Sequence, residues 1–246
     1  MPWFFFKGGM FFQYRKIKDV IINSFKRLVT PFILWSAIGL LIYFIFEMLN
    51  GTNHTYFFRK EIYSLLFFGS IFGNLPLWFL ISLFCVRIIF CITPRKITTI
   101  LICCSLTLGF ILNFVCLSQI PYWVVNTIMG LFYFAMGYIL KEYQYNRFMF
   151  GMSIVAYFLI AYFNFTYVDM RSNQVIMGCY WLWPIISLSG IICLNNIVKE
   201  IDDENFSNSL FGKSVCNIGK YSMNIYVIHW PILIIIYNLL EQAKLI

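Results

Sequence analysis

Long apolar runs separated by short polar stretches dominate the chain. Seven of these runs have about 18 residues or more, enough for a helix to cross a hydrocarbon layer about 30 Å thick. They span residues 31–49, 75–92, 97–117, 122–140, 148–166, 176–198 and 221–240. A shorter apolar segment, 1–12, precedes them and is predicted to form a partial N-terminal helix. The pattern therefore predicts an all-α, polytopic membrane helix bundle.

Composition supports this prediction. Of the 246 residues, 61% are hydrophobic and 11% are charged, whereas a soluble domain carries about a quarter charged residues. No polar stretch is long enough for a separate water-soluble catalytic domain, so residues 1–246 are predicted to form a single integral membrane domain. The eight cysteines lie within or beside apolar runs at no spacing typical of a zinc site. We interpret them as packing residues and expect no metal.

The basic residues predict the orientation of the chain. The net charge of +8 would suggest a nucleic-acid partner in a soluble protein, but here Lys and Arg lie mostly in short loops. Placing the predicted loop 13–30 in the cytoplasm puts twelve basic residues inside and four outside. Because basic residues collect on the cytoplasmic side, we expect loop 13–30 to be cytoplasmic and the C-terminus to lie outside. We expect the lipid bilayer as a partner and expect no nucleic-acid partner.

A few polar side chains lie where lipid makes them costly, which marks candidate functional positions. His229 is eight residues into the last run and is a candidate general base; the alternative is a histidine that only hydrogen-bonds a neighbouring helix. Arg87 either binds a ligand or extends to the cytoplasmic interface. Lys26 and Arg27 either set the topology, bind lipid head groups, or bind the phosphates of a nucleotide cofactor.

The sequence lacks the motifs of several common enzyme and transporter classes. It contains no phosphate-binding loop, no HExxH and no GxSxG motif. No carboxylate lies deep within an apolar run, which argues against an ion-coupled pump.

Four stretches, in order, resemble the membrane acyltransferase 3 family. The stretch 218–233, IGKYSMNIYVIHWPIL, is similar to the late-helix signature G-x-x-S-M-x-I-Y-x-x-H. MPWFFFKGGMFF followed by KRLVTPFILW resembles the family's second helix and basic loop. LPLWFLISLF and IPYWVVNTIMGLFYFAMGYILKE resemble two further segments, so the likeness covers nearly the whole chain. The branch with the greatest resemblance is that of fucose 4-O-acetylase and related acetyltransferases.

The resemblance implies a multi-pass protein of the cell membrane, the bacterial cytoplasmic membrane. It also implies an O-acetyltransferase that moves acetyl from cytoplasmic acetyl-CoA to a sugar hydroxyl of a cell-envelope or secreted polysaccharide. Lys26 and Arg27 match the family's basic loop and are expected, with Arg87, to bind the CoA phosphates. His229 matches the signature histidine and is the expected catalytic residue. Trp78 matches the tryptophan of the PLWFL segment, and Tyr226 lies within the late signature; both are expected to contact the carbohydrate acceptor.

The sequence also departs from the family pattern. The family's first helix, with the histidine generally regarded as catalytic, would lie before Met1, and a closing helix would follow Ile246. The resemblance therefore implies a chain that is incomplete at both ends. If the histidine of that first helix is the base, this form of the chain is expected to be inactive. The alternative from another functional class is a glycan exporter or flippase without catalysis, which would need a wide aromatic cavity and no CoA site.

Overall fold

The computed structural model describes residues 2–51, 53–114, 120–141, 147–163, 166–169, 174–201 and 209–242. Ten α-helices and one short hairpin lie in these ranges. The helices are α1 (Pro2–Met10), α2 (Ile17–Ser24), α3 (Thr30–Leu49), α4 (His54–Phe68), α5 (Trp78–Ile92), α6 (Thr98–Phe114), α7 (Tyr122–Leu140), α8 (Arg147–Phe163), α9 (Leu182–Ile201) and α10 (Leu210–Gln242). The hairpin pairs β1 (Thr166–Asp169) with β2 (Gln174–Gly178) in antiparallel register. The helical class predicted from the sequence is confirmed.

The segment 13–30 is not the loop that the sequence predicted. It is helical from Ile17 onward, with a π-helical turn, Phe25–Val29, joining α2 to α3. Val20, Ser24 and Leu28 are buried along one side of this segment at a spacing of four residues. A segment with one narrow buried stripe and polar residues elsewhere is amphipathic, and this pattern is sufficient for a helix. A search for long apolar runs does not detect it.

Helix α4 was also absent from the sequence prediction, which assigned its residues to a loop. Asn53 caps it, with its side-chain oxygen accepting the Thr55 N–H at 2.9 Å. Gly69 ends it in the left-handed conformation, at φ 70°. Its buried face is Phe57, Glu61 and Ser64, and the two polar residues among these three conceal the apolar periodicity.

The number of membrane spans stays a prediction. Among the described residues, four helical stretches are long and apolar enough to cross a membrane: Ile17–Leu49, Leu75–Ile92, Arg95–Leu112 and Tyr122–Leu140. Counting Gly212–Gly219 with Asn224–Leu240 as one broken span gives five. The predicted run 176–198 is wrong in its first part, because residues up to Gly178 form β2 and the helix begins at Leu182. Likewise the run 148–166 ends in β1.

The chain divides into two compact units. The first comprises Met1–Tyr14, Thr93–Cys116 and Ile128–Lys220. In it α1 lies directly against α7: a Cβ on Gly137 would overlap the Phe6 carbonyl oxygen. Tyr133 is fully buried and hydrogen-bonds the Ser187 hydroxyl at 2.6 Å, which ties α7 to α9.

The second unit comprises Arg15–Ile92, Leu117–Thr127 and Tyr221–Ile246. Helix α2 and the π-helical turn pack against α5. Trp123 donates its indole N–H to the Leu66 carbonyl at 3.0 Å, which joins α7 to α4. Every residue predicted for the functional site lies in this unit.

Candidate functional site

A largely buried loop, residues 69–77, contacts α3, α4 and α10 within the second unit. Its backbone passes α3 so closely that a Cβ on Gly39 would come within 2.7 Å of the Gly73 carbonyl oxygen. Glycine at both positions allows this approach. Because Gly39 is the tenth residue of the 20-residue helix Thr30–Leu49, the loop contacts α3 near its middle. Irregular backbone at this depth must be covered by protein and satisfied by it.

Side chains of α4 satisfy part of the loop. The Ser64 hydroxyl donates to the Ser70 carbonyl at 2.7 Å, and the Phe72 N–H donates to Glu61 Oε2 at 3.0 Å. Glu61 is only 3% exposed, and its Oε1 has no hydrogen-bond partner among the described residues. Burial raises the pKa of Glu61, although the Phe72 N–H and the charge of Lys60 oppose that rise.

Three hydrogen bonds join the loop to α10 around His229. Asn74 Nδ2 donates to the Val227 carbonyl at 3.0 Å, and the Tyr226 hydroxyl donates to the Pro76 carbonyl at 3.1 Å. The Trp230 indole N–H donates to the Phe72 carbonyl at 3.2 Å. The turn of helix that carries His229 is therefore held on both sides of the histidine.

A hydrogen bond to the backbone indicates the tautomer of the His229 imidazole. His229 Nδ1 hydrogen-bonds the Tyr226 carbonyl oxygen. A carbonyl oxygen only accepts, so Nδ1 carries the hydrogen and the neutral ring keeps its lone pair on Nε2. An imidazole in this tautomer is able to accept a proton from a hydroxyl group. The ring is partly exposed and lies beside Tyr226, at 5.6 Å between ring centroids.

A cavity of about 570 Å³ opens next to this turn of α10. Its wall combines aromatic rings, aliphatic side chains and groups that form hydrogen bonds. The lining residues are Tyr43, Phe46, Glu47, Asn50, Trp230, Leu233, Ile234, Tyr237 and Asn238. The predicted substrate residues Trp78 and Tyr226 are not among these described lining residues; Trp78 is buried at the start of α5, and Tyr226 contacts the loop.

Lys60 supports the wall of the cavity from α4. Its Nζ donates to the Tyr43 hydroxyl at 2.6 Å and lies 3.3 Å from Glu47 Oε1. It also lies 4.7 Å from the centroid of the Phe72 ring. Burial alone would lower the pKa of Lys60, but the hydrogen bond to Tyr43 and the attraction of Glu47 raise it overall. Lys60 therefore stays charged and holds Glu47 in place.

Basic residues gather at the other end of α3. Arg87 on α5 is half-buried, and the charges of Arg27 and Arg15 act on it. Its Nε is buried without a hydrogen-bond partner in the part of the chain that the structure describes. Lys26 and Arg27 are exposed in the π-helical turn. Like charges held together around an unpartnered N–H group have the charge and the donor needed to bind an anion such as a phosphate.

The structure brings together part of the predicted site. Arg27 and Arg87 lie close enough to interact, and His229 and Tyr226 are neighbours on α10. Sequence reasoning missed Arg15, Glu61 and the cavity. A charge at position 61, within an amphipathic stripe, was the available signal for Glu61.

Comparisons with known proteins identify the family. A family model described as an acyltransferase domain, that of the acyltransferase 3 family, matches residues 1–246. No curated protein matches the chain, and no solved structure does. The match covers the entire chain and agrees with the resemblance of the signature around His229. The protein is therefore a membrane protein that belongs to the acyltransferase 3 family.

Proposed function

We propose that this protein is an O-acetyltransferase that transfers acetyl from cytoplasmic acetyl-CoA to a sugar hydroxyl of a cell-envelope or secreted polysaccharide. Membership of an acyltransferase family supports acyl transfer. The identity of the donor, the acceptor and the acyl group is our inference, as is the fucose 4-O-acetylase-like branch.

The buried Arg87 Nε is the observation that carries the donor assignment. A guanidinium N–H group without a partner is costly, and a phosphate oxygen is an acceptor of suitable charge and geometry. Arg27 and Arg15 add positive charge at the same place. In this proposal the 3′-phosphate and 5′-diphosphate of CoA bind the cluster and Lys26, the chain neighbour of Arg27, on the cytoplasmic face that the basic residues predict.

The cavity provides a place for the acceptor. Aromatic rings such as those of Trp230 and Tyr237 pack against the C–H face of a pyranose ring, while Glu47 and Asn238 hydrogen-bond its hydroxyls. Its volume of about 570 Å³ falls within the usual range of small-ligand sites. Trp230 follows His229 directly, so an acceptor in the cavity lies beside the turn that carries the proposed base.

The reaction that we propose is a direct acyl transfer. His229 Nε2 accepts the proton of the sugar hydroxyl as its oxygen attacks the thioester carbonyl. The C–S bond then breaks, the acetyl ester forms, and CoA leaves as the thiol after taking up the proton. The half-buried surroundings of His229 limit water at this step, which would otherwise hydrolyse the thioester.

Binding of CoA to the purified chain in lipid nanodiscs tests the donor assignment. We expect saturable binding that is weakened by the Lys26→Gln, Arg27→Gln double substitution. Lys96→Gln is the matched control, since Lys96 is an exposed basic residue outside the cluster. Radiolabelled acetyl-CoA added to membranes with polysaccharide then measures transfer.

The alternative is a glycan exporter without catalysis, which shares the aromatic lining of the cavity. An exporter would bind glycan and not CoA. If neither the wild-type chain nor the control binds CoA, the acetyltransferase proposal fails and the exporter is favoured.

A further inference from the structure

Glu61 is a buried carboxyl group that the proposed reaction does not use. It lies between Phe57 and Ser64 on the buried face of α4, where an apolar residue is expected. Lys60, the adjacent cation, directs its Nζ to Tyr43 and Glu47. No described cation forms a salt bridge with Glu61 to offset the cost of burying it.

The hydrogen bond that Glu61 does form reaches the His229 turn through one residue. Glu61 Oε2 accepts from the Phe72 N–H at 3.0 Å, and the Phe72 carbonyl accepts from the Trp230 indole at 3.2 Å. Both bonds use the backbone of Phe72, so Glu61 fixes the position of the group to which Trp230 binds. Trp230 is the neighbour of His229 in the chain.

A hydrogen bond within the same helical turn sets the tautomer of His229. Its Nδ1 binds the Tyr226 carbonyl oxygen, and Tyr226 is itself fixed to the loop at Pro76. A displacement of the loop at Phe72 would move Trp230 and loosen the same helical turn. His229 would then lose the hydrogen bond that favours the tautomer with the hydrogen on Nδ1.

We propose that Glu61 is a positioning residue that acts through Phe72 and Trp230 to hold the His229 imidazole with Nε2 available as a base. This inference rests on the proposed function, in which His229 is the base. In this role Glu61 affects the reaction through other residues and does not contact the acyl donor or the acceptor. The carboxyl oxygen that faces Phe72 carries the effect, so an amide at this position is expected to replace it.

The imidazole can be observed without measuring transfer. The chain has two histidines, and His54→Gln leaves His229 as the one imidazole in the protein. In a ¹⁵N-histidine sample of this variant in nanodiscs, NMR should show Nδ1 protonated and Nε2 unprotonated. We expect Glu61→Gln to keep this spectrum and Glu61→Ala to produce signals of both tautomers.

Ser64→Ala is the matched control. Ser64 lies on the same buried face and binds the same loop at Ser70, but it is not connected to Trp230 through Phe72. We expect its spectrum to match that of the parent. Trp230→Phe keeps an aromatic ring and removes the donor to the Phe72 carbonyl, so it should reproduce the effect of Glu61→Ala. It also serves as the second variant if Glu61→Ala does not fold.

Steady-state kinetics distinguish a positioning role from a purely structural one, because a purely structural role would not change kcat per folded molecule. Per folded molecule, Glu61→Ala should lower kcat by about 10- to 100-fold and leave KM for acetyl-CoA unchanged, because a small misplacement of a reacting group is enough for such a loss. Glu61→Gln should restore kcat.

The proposal is overturned if Glu61→Ala and Trp230→Phe leave the His229 signals unchanged, or if Ser64→Ala alters them equally. These outcomes do not depend on acetyl transfer. A chain that fails to bind CoA while its imidazole responds to Glu61→Ala would refute the proposed donor and retain the positioning role.

Discussion

Arg87 should have opposite effects on the stability of the free protein and on its affinity for CoA. In the free protein the guanidinium is half-buried, has an unpartnered Nε in the described region, and is repelled by Arg27 and Arg15. Replacing it by Gln removes this repulsion and most of the cost of burying a charge. In the CoA complex that we propose, the same substitution removes a charged donor to phosphate.

The magnitudes follow from these contacts. Replacing a whole buried ion pair by uncharged residues is neutral or stabilising by up to about 4 kcal/mol. Arg87 is one partly exposed charge, so we expect a gain of about 1 kcal/mol. A gain of that size raises the melting temperature by about 2–4 °C in a chain of this length. A hydrogen bond to a charged group contributes about 1.5–3 kcal/mol, so CoA affinity should fall by about 10- to 100-fold.

The assay is thermal unfolding of purified protein in detergent, with and without CoA, together with calorimetric titration of CoA. Lys96→Gln removes the same unit of charge from an exposed position and should change neither quantity. Arg87→Lys keeps the charge and loses the planar guanidinium, so it should recover only part of the affinity. An Arg87→Gln protein that melts at a lower temperature and binds CoA normally would refute the reasoning and show that Arg87 serves the fold alone.

Three further predictions concern His229, the loop and Glu61. His229→Gln should reduce acetyl transfer by about 10²- to 10⁴-fold, the usual contribution of a general base, with CoA binding intact; transfer at the wild-type rate would exclude His229 as the base. Gly39→Ala should destabilise the protein by about 1–3 kcal/mol because its Cβ meets the loop backbone, whereas Gly151→Ala, which meets nothing within 4 Å, should be neutral or slightly stabilising in unfolding experiments. Because the pKa of Glu61 is raised on folding, the native state binds more protons than the unfolded chain, so its contribution to the free energy of unfolding should fall as pH rises from the ordinary glutamate range to the raised value. Glu61→Gln should remove that pH dependence, and unfolding curves of equal pH dependence in both proteins would contradict the assignment.

The sequence predicted the helices that lipid requires. Helices α3, α5 and α7 come from apolar runs long enough to cross a bilayer, and a chain in lipid has few other ways to satisfy its backbone. The same criterion could not find α2 or α4, since both mix charged residues with a narrow buried stripe. Their burial depends on which elements pack against them, which a local window of sequence does not contain.

The candidate site was predicted in its chemistry and not in its arrangement. His229, Arg27 and Arg87 are recognisable because ionisable side chains are rare in apolar runs. The cavity needs Tyr43 and Trp230 on the same wall, although they are far apart in the sequence. In the sequence, Glu61 cannot be told from the other charged residues of a polar stretch. Its exposure of 3% in the structure distinguishes it from them.

The length of α3 constrains how the proposed reaction can proceed. Arg27, in the π-helical turn just before α3, and Glu47, near the end of α3, are separated by 20 residues. That is about 30 Å along a helix, which is the thickness of the hydrocarbon layer. A donor held at Arg27 and an acceptor held at Glu47 cannot meet at either end. They can meet only between the two, where loop 69–77 contacts α3 at Gly39 and holds the helical turn of His229. A buried, irregular loop at this depth is costly in lipid. It is explained if its task is to place a base where the thioester and the hydroxyl group come together.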